Sequence, residues 1–333
     1  MTPKERVIRA VRHQLTDFIP YTVDMLGEVR SALTELCPEI AASYTNHLVF
    51  VQPEGFPREQ EIGKDVVADR FGVIWNKRVD KGCGVVVGTL INRDNFCNYD
   101  FPDPTNPVLY RHFPDFLKKN NDRFIVGAIS LSYFERAWTM YGMENLLIDM
   151  TEEEGFVFKL LEGILGYNIK LIGEYAKFDE IDCIHINDDY GQQTNLIMGP
   201  RLWRKFFKPG LKVMADKIKS VGKFVYLHSC GNISEIIPDL IEVGIDVINP
   251  MQPEVMDIFS LKHEYGRNIT FHGGVSEQRT LNFGTPDDVE REIREKIKLL
   301  GGGGGYILAP SQCMTARVPV ENAVRFVQVA TNQ

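Results

Sequence analysis

Short runs of β-forming residues alternate with longer amphipathic stretches along this chain, and no other sequence feature constrains the fold as strongly. Short apolar, β-branched runs predict buried strands, whereas apolar residues three and four positions apart predict helices. Eight runs predict strands: 18–25, 48–52, 124–129, 183–187, 224–228, 246–250, 269–272 and 306–309. Strands that alternate with helices form a parallel sheet, and a count of eight favours a closed (β/α)8 TIM barrel over an open sheet.

The intervening stretches carry apolar stripes with helical spacing. The last stripe begins at the capping sequence 285–288 and ends at Gly301. The glycine run 301–305 therefore closes a helix and leads into a strand, which predicts a plain turn and not a phosphate-binding loop. The stripes are Val157, Leu161, Ile164, Leu165, Ile172 and Tyr175; Leu202, Phe206, Met214 and Ile218; and Val289, Ile293, Ile297 and Leu300.

Residues 63–110 interrupt this alternation. Two β-type runs, 71–75 and 84–88, followed by a proline-rich stretch that ends near Pro107, predict a β-hairpin insertion. No segment is rich enough in Pro, Gly or Ser to predict a linker, so residues 1–333 are expected to form a single barrel domain.

Composition excludes several classes of protein. The net charge of −8 argues against a nucleic-acid-binding surface, which is normally basic. No apolar run approaches the roughly eighteen residues of a membrane-spanning helix. The N-terminus lacks the apolar core of a signal peptide, and the six cysteines lack disulfide-framework spacing. These features predict a cytoplasmic protein that binds neither nucleic acid nor membrane.

Three residues at predicted strand ends are candidate metal ligands. His228 and Cys230 lie two residues apart at the end of one run, so both side chains point to the same side. Cys313 follows the last run and lies beside them if the two strands share a sheet. Three His and Cys ligands with a fourth position open are typical of a catalytic zinc site. The alternative is that the cysteines are buried as small apolar residues.

Carboxylates occupy the same predicted edge. Glu135 is the preferred fourth ligand and Glu277 the next candidate, although Glu135 could instead pair with Arg136 or cap a helix. Asp188 and Asp189 end a buried strand as candidate catalytic residues, either accepting a hydrogen bond from substrate or donating a proton. Because one of the two could cap the following helix, we expect one structural aspartate and one that faces the site.

Other side chains at these strand ends are candidates for substrate contact: Tyr133, Asn187, Tyr190 and Gln252. His185 lies two positions before Asn187 on one strand, and we interpret it as a core histidine with its hydrogen bonds satisfied. The role of His272 is ambiguous from the sequence.

The motifs together resemble the uroporphyrinogen decarboxylase superfamily over nearly the whole chain. The N-terminal segment that binds propionate in the decarboxylases carries an Arg-Gln-Ala-Gly-Arg-Tyr signature, whereas residues 24–30 here are acidic and lack it. The His-X-Cys and later Cys of the methyltransferase branch match His228, Cys230 and Cys313. The segments that carry the resemblance are 2–7, 134–138, 188–191, 202–209, 227–233, 246–252, 271–275, 284–286 and 304–310.

The resemblance implies a zinc-dependent corrinoid methyltransferase on a (β/α)8 barrel. The chain has no Asp-X-His-X-X-Gly corrinoid motif, so the cobalamin is expected on a separate corrinoid protein that docks at the barrel mouth. We favour demethylation of an aryl methyl ether of the vanillate or veratrol type, with zinc acting on the ether oxygen. Aromatic residues near the strand ends, Tyr133, Phe134, Trp138 and Tyr190, would stack on such a donor.

Other functions remain open. The chain could transfer methyl from a methylcorrinoid to a thiol of the coenzyme M type, or act on a methylamine-like donor. A metal-free uroporphyrinogen-type decarboxylase and a non-catalytic protein that binds the corrinoid partner are further alternatives. A homodimer is compatible with all of these.

Overall fold

The computed structural model describes residues 1–54, 60–78 and 84–333, and its centre is a curved sheet of seven parallel strands. Strand order follows chain order, β1-β6-β7-β8-β9-β10-β11, as in a (β/α)8 barrel. The barrel strands are β1 Leu48–Val51, β6 Phe124–Ile129, β7 Cys183–Asn187, β8 Phe224–His228, β9 Val247–Met251, β10 Thr270–Val275 and β11 Tyr306–Pro310. The second sheet consists of β2 Gln60–Gly63, β3 Val66–Ala68, β4 Ile74–Asn76 and β5 Val85–Val86.

The first predicted strand, 18–25, is extended but forms only isolated bridges, which corrects the sequence prediction. Tyr21 bridges to Leu308 of β11, and its carbonyl accepts a hydrogen bond from the His47 N–H at the start of β1. The segment therefore lies between the two edge strands of the sheet. Pro20, which has no N–H to donate, limits the ladder here.

Helices surround the sheet on its outside, as a parallel barrel requires, and the first of them packs its apolar side chains into the lower interior. The helices are α1 Pro3–Val11, α2 Gly27–Leu36, α3 Pro38–Ser43, α4 Phe113–Lys119, α5 Phe134–Tyr141, α6 Met143–Glu152, α7 Glu154–Tyr175, α8 Gly199–Phe206, α9 Lys208–Ser220, α10 Ile237–Val243, α11 Ile258–Tyr265, α12 Pro286–Leu300 and α13 Val320–Thr331. None of the helices in the described ranges is both long and apolar enough to cross a membrane.

Local signals determine where several helices begin and end. Thr285 caps α12 and forms a reciprocal capping box with Asp288, and Thr2 does the same with Glu5 at α1. Gly301 ends α12, and the remaining glycines turn the chain into β11 with positive φ angles at 303–305. This confirms the interpretation of the glycine run as a helix-to-strand turn.

The stripe over 202–218 belongs to two helices and not to one. α8 ends at Phe206 and α9 begins at Lys208, with Pro209 in its first turn. A proline has no N–H for an intrahelical bond and clashes with the preceding turn, so it begins a new helix here.

The small antiparallel sheet occupies the position of the predicted hairpin insertion. It begins at Gln60, before residue 63, and has four strands in the order β2-β3-β4-β5 in place of one hairpin. Part of the predicted insertion, 79–83, lies outside the described residues. Val67, Val73 and Trp75 of this sheet region are buried in the same apolar cluster as the barrel helices. That residues 1–333 form one domain stays a prediction.

A buried ion pair attaches this small sheet to the barrel. The guanidinium of Arg136 on α5 donates to the Asp69 carboxylate at 2.7 Å, and both side chains are about 1% exposed. Asp69 also accepts hydrogen bonds from the Phe71 and Val73 N–H groups and from the Trp75 indole. The predicted alternative of an ion pair between Glu135 and Arg136 is therefore not observed, since Asp69 is the partner of Arg136.

We predict that Asp69→Ala lowers the free energy of unfolding by about 3–5 kcal/mol, because it leaves the Arg136 charge buried without a partner. Urea denaturation followed by circular dichroism measures the loss. The control is Asp216→Asn, which removes an exposed ion pair with Lys212 and should change stability by less than about 1 kcal/mol. Equal effects of the two substitutions would contradict the role of the buried pair.

Candidate metal centre

A cluster of three metal-competent side chains lies at the carboxyl end of the barrel, where parallel barrels place their active sites. The cluster consists of Asp189 after β7, His228 at the end of β8 and Cys230 two residues further on. Each offers one ligand atom, and these atoms lie within 4.8 Å of one another. All three side chains are half-buried, so the cluster remains open to the barrel mouth.

The His228 ring is oriented by a hydrogen bond to Asn249. Nδ1 of His228 lies 2.7 Å from the Asn249 amide oxygen, and the Asn249 amide nitrogen donates to the His272 carbonyl at 3.3 Å. The second bond determines which end of the amide faces the histidine. Nδ1 must then carry the proton and donate it to Asn249, which leaves the Nε2 lone pair directed at the cluster. A metal-binding histidine is normally held in this way.

Cys230 is the second member of the cluster. Its sulfur lies 3.3 Å from His228 Nε2, and the side-chain amide of Gln312 donates to it at 2.8 Å. Burial is the main cause that raises the pKa of the Cys230 thiol, and the charge of Asp189 is the second. A cation bound at this position would favour the thiolate, because metal binding displaces the proton from a coordinating thiol.

Asp189 supplies the carboxylate of the cluster. One oxygen accepts the Cys230 backbone N–H at 2.7 Å and lies 3.6 Å from His228 Nε2. The same oxygen thus holds the loop after β8 in place and contributes an anionic ligand atom. Asp189 is one of the two predicted catalytic aspartates, and the structure places it among the candidate metal ligands.

The loops after β7 and β8 meet at two glycines. The Gly191 N–H donates to the Cys230 carbonyl, and a Cβ on Gly191 would lie 2.5 Å from that oxygen. Gly231 has a φ of +82°, and a Cβ there would lie 2.3 Å from the Gly191 carbonyl carbon. Only glycine permits this approach, which brings Asp189 next to Cys230.

Asp188 has a structural position, as expected for one aspartate of the pair, but the helix that it caps is α5 and not α8, the helix that follows it in the chain. Its two carboxylate oxygens accept the N–H groups of Phe134 and Glu135, at 2.9 and 2.7 Å, at the start of α5. It therefore satisfies the free donors of that helix from a neighbouring strand. Burial raises the pKa of Asp188 to about 7 despite these two hydrogen bonds.

Glu135, the preferred fourth ligand, points toward the same region without joining the cluster. Its carboxylate accepts a hydrogen bond from the Asn187 amide at 2.8 Å. Burial, and then the carboxylates of Asp189 and Asp188, raise the pKa of Glu135 well above its usual range. A raised pKa allows this group to carry a proton near neutral pH. Its role as a ligand stays a prediction.

Cys313 follows β11 and is not part of the three-residue cluster. Burial is the main cause that raises the pKa of the Cys313 thiol to about 11, and the charge of Asp24 is the second. The neighbouring Gln312 contacts Cys230, so this loop already lies beside the cluster. Glu277, the other carboxylate candidate, accepts hydrogen bonds from Asn282 and Thr315. Metal binding by Cys313 stays a prediction.

The predicted substrate contacts lie in different surroundings. Tyr190 is fully buried against Phe134, Trp203 and Phe207, and Tyr133 is 3% exposed. Gln252 accepts the Gly231 N–H at 2.6 Å and so supports the glycine contact. Substrate contact by any of the four residues, with Asn187 among them, stays a prediction.

The sequence did not predict the roles of Asn249 and Gln312, although Asn249 lies near the end of one predicted strand and Gln312 follows another. The local sequence around an amide side chain does not show which groups it will contact, because its hydrogen-bond partners come from other strands. His272, ambiguous from the sequence, is buried and lies between the Tyr226 hydroxyl at 2.5 Å and the Thr22 hydroxyl at 3.0 Å. His185 is buried as predicted, but its Nδ1 has no hydrogen-bond partner among the described residues. It is therefore not the satisfied core histidine that we expected.

Comparisons with known proteins agree with this fold. A family profile described as uroporphyrinogen decarboxylase (URO-D) matches residues 66–333. The chain is 25% identical to uroporphyrinogen decarboxylase 1 of rice chloroplasts, over 61% of this chain and 50% of that enzyme. The chain therefore spans about half the length of that relative.

Two methanogen proteins match over almost their full length. A methylcobamide:CoM methyltransferase, MtbA, of Methanosarcina mazei is 24% identical over 99% of this chain and 98% of its own. The solved structure of a methyltransferase from Methanosarcina mazei superimposes with a TM-score of 0.71, at 20% identity, over 100% of this chain and 99% of its own. This superposition confirms the TIM-barrel fold.

We predict that Asn249→Leu weakens Zn²⁺ binding by about 10- to 100-fold, because His228 loses the acceptor that holds its ring. Competition with a chromophoric chelator measures the affinity. The control is Asn332→Ala at the exposed C-terminal end, which should leave the affinity unchanged. Unaltered Zn²⁺ affinity in Asn249→Leu would show that His228 is oriented by other contacts.

Proposed function

This chain belongs to the uroporphyrinogen decarboxylase family, and we propose that it is a zinc-dependent methyltransferase that exchanges methyl groups with a corrinoid on a separate protein. The observation that carries the proposal is the convergence of His228 Nε2, Cys230 Sγ and the Asp189 carboxylate at the barrel mouth. The full-length similarity to the Methanosarcina mazei MtbA supports the same branch of the family.

The donor set fits zinc. Imidazole, thiolate and carboxylate are the three kinds of protein ligand that zinc takes, at about 2.0–2.3 Å, so that neighbouring ligand atoms lie roughly 3.5 Å apart. The 3.3 and 3.6 Å separations at His228 Nε2 match this spacing. His228, Cys230 and Asp189 would hold the ion, and the predicted ligand Cys313 would reach it from the loop after β11. Zinc, when bound, would supply a Lewis acid for the leaving oxygen of an ether or for the attacking sulfur of a thiol.

We propose an aryl methyl ether as the methyl donor. In this reaction the C–O bond breaks with its electron pair remaining on the phenolate oxygen. The new Co–C bond takes its pair from the Co(I) of the partner corrinoid, which becomes formally Co(III). Glu135, with its raised pKa, would give a proton to the departing phenolate. Asp188 holds the first turn of α5 and thereby positions Glu135.

The cobalamin must approach from outside the chain. The half-buried cluster opens at the carboxyl end of the strands, which is the face where a corrinoid protein would dock. Its cobalt would then reach a methyl group held next to His228.

Methyl transfer to a thiol is the second candidate. The specific observation in its favour is the name of the full-length Methanosarcina mazei relative, a methylcobamide:CoM methyltransferase. In this direction the thiolate attacks the methyl carbon and forms an S–C bond, while the Co–C electron pair returns to cobalt as Co(I). The same cluster would serve, because zinc lowers the pKa of a bound thiol.

We predict that the purified protein holds about one zinc per chain, and that Cys230→Ser and His228→Gln each lower this content severalfold by removing a ligand. Cys313→Ser should also lower it if Cys313 is a ligand. Atomic absorption measures the metal, and Cys97→Ser, an exposed thiol, is the matched control.

The donor is identified with a reduced corrinoid protein and a panel of aryl methyl ethers, with the loss of Co(I) absorbance as the readout. An ether that methylates cobalt supports the proposal. Methyl loss from methylcobalt upon addition of a thiol, with no response to any ether, would support the second candidate. Full decarboxylation of a porphyrinogen by metal-free protein would overturn both.

A further inference from the structure

The large aromatic side chain of Phe50 faces inward at the barrel mouth and remains accessible to solvent. Phe50 lies two residues after Leu48 on β1, so both side chains point to the same side of the sheet. Leu48 is buried in the interior cluster with Tyr226 of β8, whereas Phe50 is 42% exposed. The Phe50 ring contacts His185 of β7 at 5.3 Å and Tyr226 at 6.1 Å between centroids.

These contacts cross the interior of the barrel. β6 separates β1 from β7 in the sheet, so a ring on β1 can contact β7 and β8 only through the enclosed space. Phe50 pairs in register with Val126 of β6, and Ala128, two residues further toward the mouth on the same face, is the register partner of His185. Ala128 presents only a methyl group and leaves the wall open beside Phe50. Phe50 and His185 thus form an aromatic wall at the floor of the mouth.

His185 adds one polar function to this wall. The side chain is 8% exposed, and its Nδ1 is buried without a hydrogen-bond partner among the described residues. A buried N–H without an acceptor is rarer and costlier than an unused lone pair. The proton is therefore on Nε2. This nitrogen also has no hydrogen-bond partner in the described part of the chain, and it is not fully buried. Nε2–H is a free donor for a ligand oxygen.

The wall adjoins the candidate metal centre. The rings of His185 and His228 lie 5.9 Å apart between centroids, nearly perpendicular to each other. His228 directs Nε2 toward Cys230, so a ligand resting on Phe50 and His185 has the cluster beside it. A flat ligand there would present a substituent to the metal centre.

We propose that Phe50 and His185 form a binding subsite for the ring of a methoxylated phenol. Phe50 packs against the ring, and His185 Nε2–H donates to an oxygen substituent other than the one that loses its methyl group. The inference deepens the proposed function and rests on it. Of the four aromatic residues that the sequence suggested for this contact, Tyr133, Phe134 and Tyr190 are buried, and Trp138 is partly buried against the apolar core.

Binding is measured without corrinoid, so that no turnover occurs. Isothermal titration calorimetry of the zinc-loaded protein uses vanillate, which has a phenol oxygen beside its methoxy group, and methoxybenzene, which has no second oxygen. Phe50→Ala should weaken vanillate binding by about tenfold or more, whereas Phe50→Tyr should retain it. Phe158→Ala, on the outer face of α7 with a similar exposure of 44%, is the matched control.

His185→Phe separates the polar contact from the packing. It should weaken vanillate binding by about tenfold and leave methoxybenzene binding nearly unchanged, because only vanillate offers the second oxygen. Ala128→Leu removes no contact and fills the open wall, so it should abolish binding of both ligands. Zinc content and circular dichroism show that each variant is folded and loaded.

The two proposals fail separately. Vanillate binding that depends on Phe50 and His185, without methyl transfer to cobalt, supports the subsite and overturns ether demethylation. Vanillate binding that is unaffected by Phe50→Ala, or no vanillate binding at all, overturns the subsite. Methyl transfer from or to another compound would then leave the zinc methyltransferase proposal intact.

Discussion

The backbone contact between the loops after β7 and β8 is the constraint on which the candidate site depends. The parallel register joins the strands up to Asn187 and His228, and the Asp188 N–H still bonds the His228 carbonyl beyond it. Gly191 and Gly231 then let the two loops touch backbone to backbone. Because backbone hydrogen bonds hold the loops together, a carboxylate from one strand and an imidazole and thiol from the next converge on one point.

The same few side chains both hold the backbone of the site in place and supply its candidate ligand atoms. Asp188 satisfies the N-terminal donors of α5 and so positions Glu135, while Asp189 bonds the Cys230 N–H and presents an oxygen to the cluster. Asn249 determines the tautomer of His228 from a third strand. The ligand geometry is therefore preorganised by hydrogen bonds to groups that are themselves fixed.

Polarity inside the barrel changes along its axis. The lower interior is packed with apolar side chains from α1 and the strands, including Val7, Leu48 and Val126. Above it lie polar and aromatic groups with specific partners, among them His272 between Thr22 and Tyr226. The packed floor supplies rigidity, and the open level above it holds Phe50, His185 and the metal cluster within contact of one another.

Much of the fold could be predicted from the sequence. Several features depend only on local sequence and appear in the structure as predicted. They are the strand and helix periods, the capping boxes of α1 and α12, and the glycine turn before β11. The segment 18–25 could not be predicted in detail, because its pairing depends on two edge strands at opposite ends of the chain. The His-X-Cys spacing also predicted that His228 and Cys230 would share one side, and the structure places them 3.3 Å apart.

The sequence alone therefore determined the barrel, the edge at which function collects and the identity of two ligand candidates, because each depends on local periodicity or spacing. The tertiary structure alone decided that Asp188 caps a helix while Asp189 joins the cluster. It also decided that Asn249 and Gln312 contact the candidate ligands His228 and Cys230 and that Tyr190 is buried in the core. These roles depend on which atoms of distant strands meet, and a linear pattern of residue types does not contain that information.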